Sequence, residues 1–218
     1  ISQIEQKAQR WKQEIEEKET EIKKQKDNLK TEQILLTKEL IDEKQEEIAM
    51  SDVEKISLFV VLRALDRLSG LRGVMVPKEI EDFVSNAWSC FASGESGLNT
   101  KKVKQAVDLA VIDEQDATPE EVLRNFFLYA LSDVVVFFDE GAKESLAAAE
   151  DSVVDAYDYA AAQQYVFDTH GGKAVILSGD EEREIKESAL YSGELSALTR
   201  DRRFAETFSE SERLGEFR

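Results

Sequence analysis

Between Val122 and Phe138, thirteen of the seventeen residues are apolar or aromatic, interrupted only by Arg124, Asn125, Ser132 and Asp133. Wound as an α-helix, such a segment is apolar almost all round, and a helix of that kind has to be buried among others. A bilayer span needs roughly 20 apolar residues. This run is shorter and carries Arg124 and Asp133, so burial in protein is expected. Its start is well marked: Thr118 suits the cap, Pro119 suits the first helical position, and Glu121 completes a capping box. The fold class expected is therefore all-α. A long N-terminal coiled-coil-like helix leads into an orthogonal or bundle-type helical domain around the central apolar helix at 118–138.

Residues 1–50 read as a coiled-coil arm. Ile1, Ala8, Ile15, Ile22, Leu29 and Leu36 recur in heptad spacing, and Ile4 and Trp11 fill the intervening seam. After Trp11 the matching seam positions are Lys18, Gln25, Glu32 and Glu39, so the middle of the arm keeps one apolar row. Ile34, Ile41 and Ile48 open a second row, which implies a phase change near residue 34. Gly and Pro are absent, and Glu14 with Lys18 and Glu19 with Lys23 form supporting pairs four apart. Such a helix would reach on the order of 70 Å. It reads equally as a solvated helix leaning one stripe on a partner or as a self-associating one.

Residues 51–168 read as a helical body. Ser51 with Glu54 makes a capping box for a helix reaching Leu68, with Ile56, Phe59, Val60, Leu62, Ala64 and Leu65 on a broad apolar face. Gly70 and Gly73 end it, and Pro77 opens the next helix, carrying Ile80, Phe83, Val84, Ala87, Trp88 and Phe91. Asn99 or Thr100 caps a shorter one. The alanine-rich stretch from Ala142 to about Phe167 offers small side chains against the bulky central helix, and this pairing is the expected heart of the core. Residues 169–218 read as a C-terminal helical extension packing on the body or a partner. In it, Ala174–Leu177 is expected as a packed loop in preference to a short strand, and Ser178 with Glu181 caps a helix reaching about Thr199, weakened at Gly193. A short last helix would carry Phe204, Phe208 and Leu214.

The order of these elements resembles the YjaG-like family of bacterial all-helical proteins over about residues 54–168. The features that carry it are Trp88 late in one helix, Ile112 and an acidic turn 24 residues on, the long apolar helix, the turn at Gly141 and the alanine-rich helix. The sequence departs from that family at Ser69-Gly70-Leu71, where the family has Pro-Asn-Tyr, at Asp113, where it has proline, and in the arm. The resemblance implies an all-helical fold; the family has no assigned reaction, so no catalytic residue is carried over.

The formal net charge is −18, and the arm holds 10 Lys and Arg against 13 Asp and Glu, which leaves about −15 on residues 51–218, the body with its C-terminal extension. A surface of that sign does not displace counterions from a nucleic-acid backbone. The partners expected are proteins, basic ones by charge, with homo- or hetero-oligomerisation through residues 1–50, no direct nucleic acid and no membrane span. Cys90 is the only cysteine, so an intrachain disulfide is excluded and a cytoplasmic or other reducing soluble compartment is expected. Opening on Ile1, the chain reads as processed or excised from a longer one.

Candidate chemistry is sparse. Asp113, Glu114 and Asp116 suggest a calcium loop, but a twelve-residue loop from Asp113 would end on Arg124 and lacks the central glycine. An acidic helix start is the better reading. Asp151, Asp155 and Asp158 share one helical face, extended by Glu144, and no Glu-x-x-His pair accompanies them. They read as a solvated or docking face ahead of a magnesium or manganese site. His170, the only histidine, reads as a helix-terminus cap, and Cys90 as a small buried hydrophobe. No catalytic residue, cofactor or metal ligand is assigned. The function expected is that of a non-enzymatic scaffold or adaptor, or, alternatively, an acidic inhibitor or immunity-type protein masking a basic nucleic-acid enzyme. A metal-dependent hydrolase using the Asp151 stripe ranks third. The residues expected to interact are Ile1, Ile4, Ala8, Trp11, Ile15, Ile22, Leu29 and Leu36 of the arm, with Asp151, Asp155 and Asp158.

Overall fold

The computed structural model describes residues 18, 20–26, 28–30, 35, 50–93, 98–115 and 117–208. The chain divides into two units, Ile1–Ala49 and Met50–Arg218. The described residues of the first are helical, and Ile22 and Leu29 are exposed at 62% and 64%. The other seam positions, Ile1, Ile4, Ala8, Trp11, Ile15 and Leu36, lie outside the described residues, as do Ile34, Ile41 and Ile48.

The second unit is all-helical over its described residues, with no strand among them. Its helices are α1 (Asp52–Ser69), α2 (Lys78–Ser93), α3 (Thr100–Ala110), α4 (Pro119–Glu140), α5 (Lys143–His170), α6 (Gly179–Glu187) and α7 (Ala189–Phe208). Three begin on full capping boxes, Ser51 with Glu54, Thr118 with Glu121 and Ser178 with Glu181. In each the serine or threonine oxygen accepts an orphan amide while the glutamate accepts the cap residue's own N–H, satisfying two donors with one pair. Asn99 caps α3 by accepting from the Lys102 amide at 3.1 Å. Among the described residues, no helix is long and apolar enough to cross a membrane.

Helix α4 runs through the core as its composition requires, with Leu123, Phe127, Leu128, Ala130, Leu131, Val134, Val135 and Phe137 buried. Asn125 is fully buried too, and it is not an isolated polar group. Its side-chain amide donates to the Ile112 carbonyl at 2.6 Å, and its oxygen accepts from the Ile112 N–H at 3.1 Å. One side-chain amide thus satisfies both backbone polar groups of Ile112 in the α3–α4 connection and fixes that connection to the core. Gly141, at φ 66°, closes α4 in the left-handed region where a side chain would be strained. Only Ala142 then separates α4 from α5, so the two run as an antiparallel hairpin. Their pairing is the most extensive in the body, with Ala149 and Ala156 fully buried, as the small-against-bulky expectation required.

The core has a second centre at α1, which is more than the one-sided apolar face its sequence predicts. Leu58, Phe59, Val60, Val61 and Leu62 of α1 are consecutive and all buried, so α1 is covered on every side over that stretch. It packs on α2, α4, α5 and α7. Phe59 is the hub of an aromatic group, with Trp88 edge-on at 5.8 Å, Phe91 at 6.1 Å and Phe204 stacked at 5.9 Å between ring centroids. The Trp88 indole donates to Asp66 at 3.0 Å, which joins α2 to α1 at the polar edge of that group.

The C-terminal residues depart from expectation in two places. The helix begun at Ser178 stops at Glu187 rather than near Thr199, because Ser188 turns extended (ψ 148°). The Ser188 hydroxyl accepts from the Tyr191 amide at 3.3 Å, so this serine acts as a new cap. Helix α7 then runs straight through Gly193 to Phe208, absorbing the separate last helix expected there; Leu214 lies outside the described residues. The Ala174–Leu177 segment is a loop, as expected, but not a packed one: Ile176 is 100% exposed. Its register is set by Gly172, whose amide closes the end of α5, and by the Ser178 cap.

Candidate interaction surface

The three expected aspartates lie on α5 in different circumstances. Asp151 and Asp155 are exposed, with no ion-pair or hydrogen-bond partner among the described residues. Asp158 is half-buried and paired with Lys186 of α6 at 2.6 Å, the ammonium also resting 4.4 Å from the Tyr191 ring centroid. Burial works against the Lys186 charge, but Asp158 and Tyr191 outweigh it and raise its pKa. The stripe is therefore two open carboxylates and one that holds α6 in place. Among the described residues no group of three or more His, Cys, Asp or Glu is arranged to hold a metal ion.

His170 ends α5, but it does not cap the helix through its ring. The Gly172 amide takes that role by donating to the Val166 carbonyl at 3.1 Å, because two glycines with positive φ follow the helix. The His170 Nε2 instead meets Glu181 Oε1 at 2.8 Å, tying the end of α5 to the start of α6. Hydrogen bonds from Ser178 and then from His170 hold the Glu181 carboxyl down at about 2. Cys90 is half-buried on α2 rather than fully enclosed.

The strongest electrostatic feature of the body lies between α1 and α7. The Arg67 guanidinium donates to Glu194 from Nε at 2.9 Å and from NH2 at 2.7 Å, and to Asp201 from NH1 at 2.5 Å. Arg63 Nε approaches Asp201 at 3.7 Å, and Tyr157 of α5 feels the Glu194 charge. Glu194 is only 4% exposed. Burial opposes the Arg67 charge, yet the two carboxylates outweigh it and raise its pKa; burial and then Glu194 raise that of Tyr157. Bidentate pairing of this kind satisfies buried charges. It is a joint between helices. The sequence carried no signal of it, since Arg67 and Glu194 are 127 residues apart.

A second grouping that sequence reasoning missed is open to solvent at its rim. Phe126 and Tyr129 of α4 stand nearly perpendicular with ring centroids 6.4 Å apart, and Phe126 lies 5.9 Å from Tyr159 of α5. All three rings are half-buried. Asp113, Glu114 and Glu120, from the α3–α4 connection and the first turn of α4, are exposed. Burial, then Glu114 and Asp113, raise the Tyr129 pKa; burial, then Glu120 and Glu114, raise that of Tyr159. The acidic turn of Asp113 and Glu114 thus adds negative charge to the surroundings of Tyr129 and Tyr159. Half of this was readable: Phe126 and Tyr129 are three apart on a helix, whereas Tyr159 joins them only through the α4–α5 hairpin.

No family model, no curated protein and no solved structure matches the sequence. What the surface can do is therefore a matter of its own residues. They offer exposed carboxylates, half-buried aromatic faces and charged groups tied up in holding helices together.

Proposed function

We propose that this chain is a non-enzymatic interaction protein whose acidic helical body docks a basic protein partner and whose arm, residues 1–50, assembles it with a copy of itself or with another chain. The observation that carries the reading is the −15 of the body, with Asp151 and Asp155 exposed and unpaired among the described residues. Other carboxylates serve structure: Glu54, Glu121 and Glu181 close capping boxes, and Glu194 and Asp201 hold α7 to α1. An acidic excess left on the surface steers cationic partners and repels acidic ones. A basic nucleic-acid enzyme masked by the body is the narrower form of the same proposal. Kinship of residues 54–168 with the YjaG-like family belongs to it as well, and brings a fold without a reaction.

Recovery of the full chain with its partners from its native cells, washed at low and at high salt, tests the docking. A basic protein held at low salt and released at high salt is the expected result; a partner retained equally in both washes overturns it. Light scattering after size exclusion of residues 1–218 and 51–218 tests the arm. A larger assembly with the arm present is expected, and identical monomeric masses remove self-association.

A further inference from the structure

We infer that the aromatic group of Phe126, Tyr129 and Tyr159, rimmed by Asp113, Glu114 and Glu120, is where a lysine- or arginine-rich protein segment docks. The inference rests on the proposed function and names the place on the body where it happens. Aromatic faces attract ammonium and guanidinium groups lying within about 6 Å of the ring centroid, and carboxylates at the rim complete the pairing of the same cations. The rings are already fixed by contact with one another and by half-burial, so little side-chain freedom is lost when a cation arrives. Burial comes first in raising the Tyr129 and Tyr159 pKa values; the charges of Glu114, Asp113 and Glu120 add to it, with the sign a cation requires.

The geometry also suits an extended chain. On α5, Asp155 precedes Tyr159 by four residues and Asp151 precedes Asp155 by four, so acidic groups continue away from the rings along one helical face. Successive members of that row are about 6 Å apart along the helix axis. Alternate side chains of an extended strand recur at about 7 Å. A segment with cationic residues at every second position therefore meets the rings with one side chain and the Asp155 and Asp151 carboxylates with the next two. Small free cations lack that repeat, and an acidic segment is repelled.

The test uses the full chain and a fluorescein-labelled decapeptide of alternating arginine and serine, with binding followed by anisotropy at low salt. Glu114→Gln with Glu120→Gln removes two rim charges. Tyr129→Leu with Tyr159→Leu removes the ring faces and keeps apolar bulk. Glu182→Gln with Glu187→Gln removes two exposed charges on α6 as a matched control. The rim and ring pairs are each expected to weaken binding about three- to tenfold, and the control pair less than about twofold. Equal weakening by rim and control pairs means that the whole acidic surface binds the peptide; it overturns this site and leaves the wider reading standing. An unmodified chain that does not bind the peptide overturns both. If circular dichroism shows the leucine pair unfolded, the exposed rim pair decides alone.

Discussion

Arg67 shows the terms on which a charged side chain is accepted beside a helical core. Its guanidinium meets Glu194 through two nitrogens and Asp201 through a third, so the charge removed from water is replaced by hydrogen bonds of fixed direction. Replacing Glu194 by leucine leaves that cation with Asp201 alone and should cost about 2–4 kcal/mol, less than for a fully enclosed pair because Asp201 stays and 27% of the Arg67 side chain remains exposed. The double variant Arg67→Met, Glu194→Leu should recover part of the loss, since these two charges leave together while Asp201 keeps Arg63 at 3.7 Å. Urea denaturation of the two single variants and the double variant checks this; additive losses would show that the pair acts as two independent groups. Asn125 follows the same rule without a charge. In the sequence it is an interruption of an apolar run, and its partner, the Ile112 peptide, becomes visible only when the α3–α4 connection is folded back against it.

At the scale of elements, the helix starts were the most legible feature, because a capping box needs four adjacent residues and nothing else. Ser51, Thr118 and Ser178 each cap as their spacing predicts. The Glu181 box also carries a pH dependence. The Glu181 pKa falls from 4.5 to about 2 on folding, through Ser178 first and His170 after it. A carboxyl depressed in this way stabilises the folded state fully above its unfolded pKa of about 4.5 and loses that contribution as pH falls through about 2. The stability difference between the parent chain and Glu181→Gln should therefore be largest near neutrality and shrink between about pH 4.5 and pH 2. Denaturant midpoints taken across that range measure it, and a constant difference would refute the role of the ionised carboxylate. Helix ends were less legible. Ser188 sits in a sequence that reads as continuous helix, yet its hydroxyl accepts from the Tyr191 amide and starts α7. Gly193, a propensity cost of about 1 kcal/mol, is carried within α7 because Glu194, Ala197 and Leu198 are buried around it.

For the whole molecule, charge and core pull in opposite directions. The body concentrates about −15 on 168 residues while a single apolar cluster runs from Leu58 on α1 to Ala205 on α7. Self-repulsion of that size opposes the compact state and is screened by salt. The isolated segment 51–218 should therefore unfold in one cooperative transition whose midpoint rises by a few degrees as sodium chloride goes from about 20 mM to about 500 mM. Differential scanning calorimetry checks this, and a midpoint that falls with salt would mean that internal ion pairs outweigh the surface repulsion. The same acidic excess underlies the docking proposal.

From the sequence alone came the all-helical class, the positions of the helix starts, the burial of Val122–Phe138 and its pairing with the alanine-rich helix. These depend on neighbours within a turn or two, or on a stretch so apolar that only one environment will take it. Tertiary structure decided that α1 shares the centre of the core. It also decided that Asp158 is spent on Lys186, that Arg67 finds Glu194, and that Tyr159 joins Phe126. Each of these joins side chains from different helices, and no local spacing encodes the angle at which two helices meet.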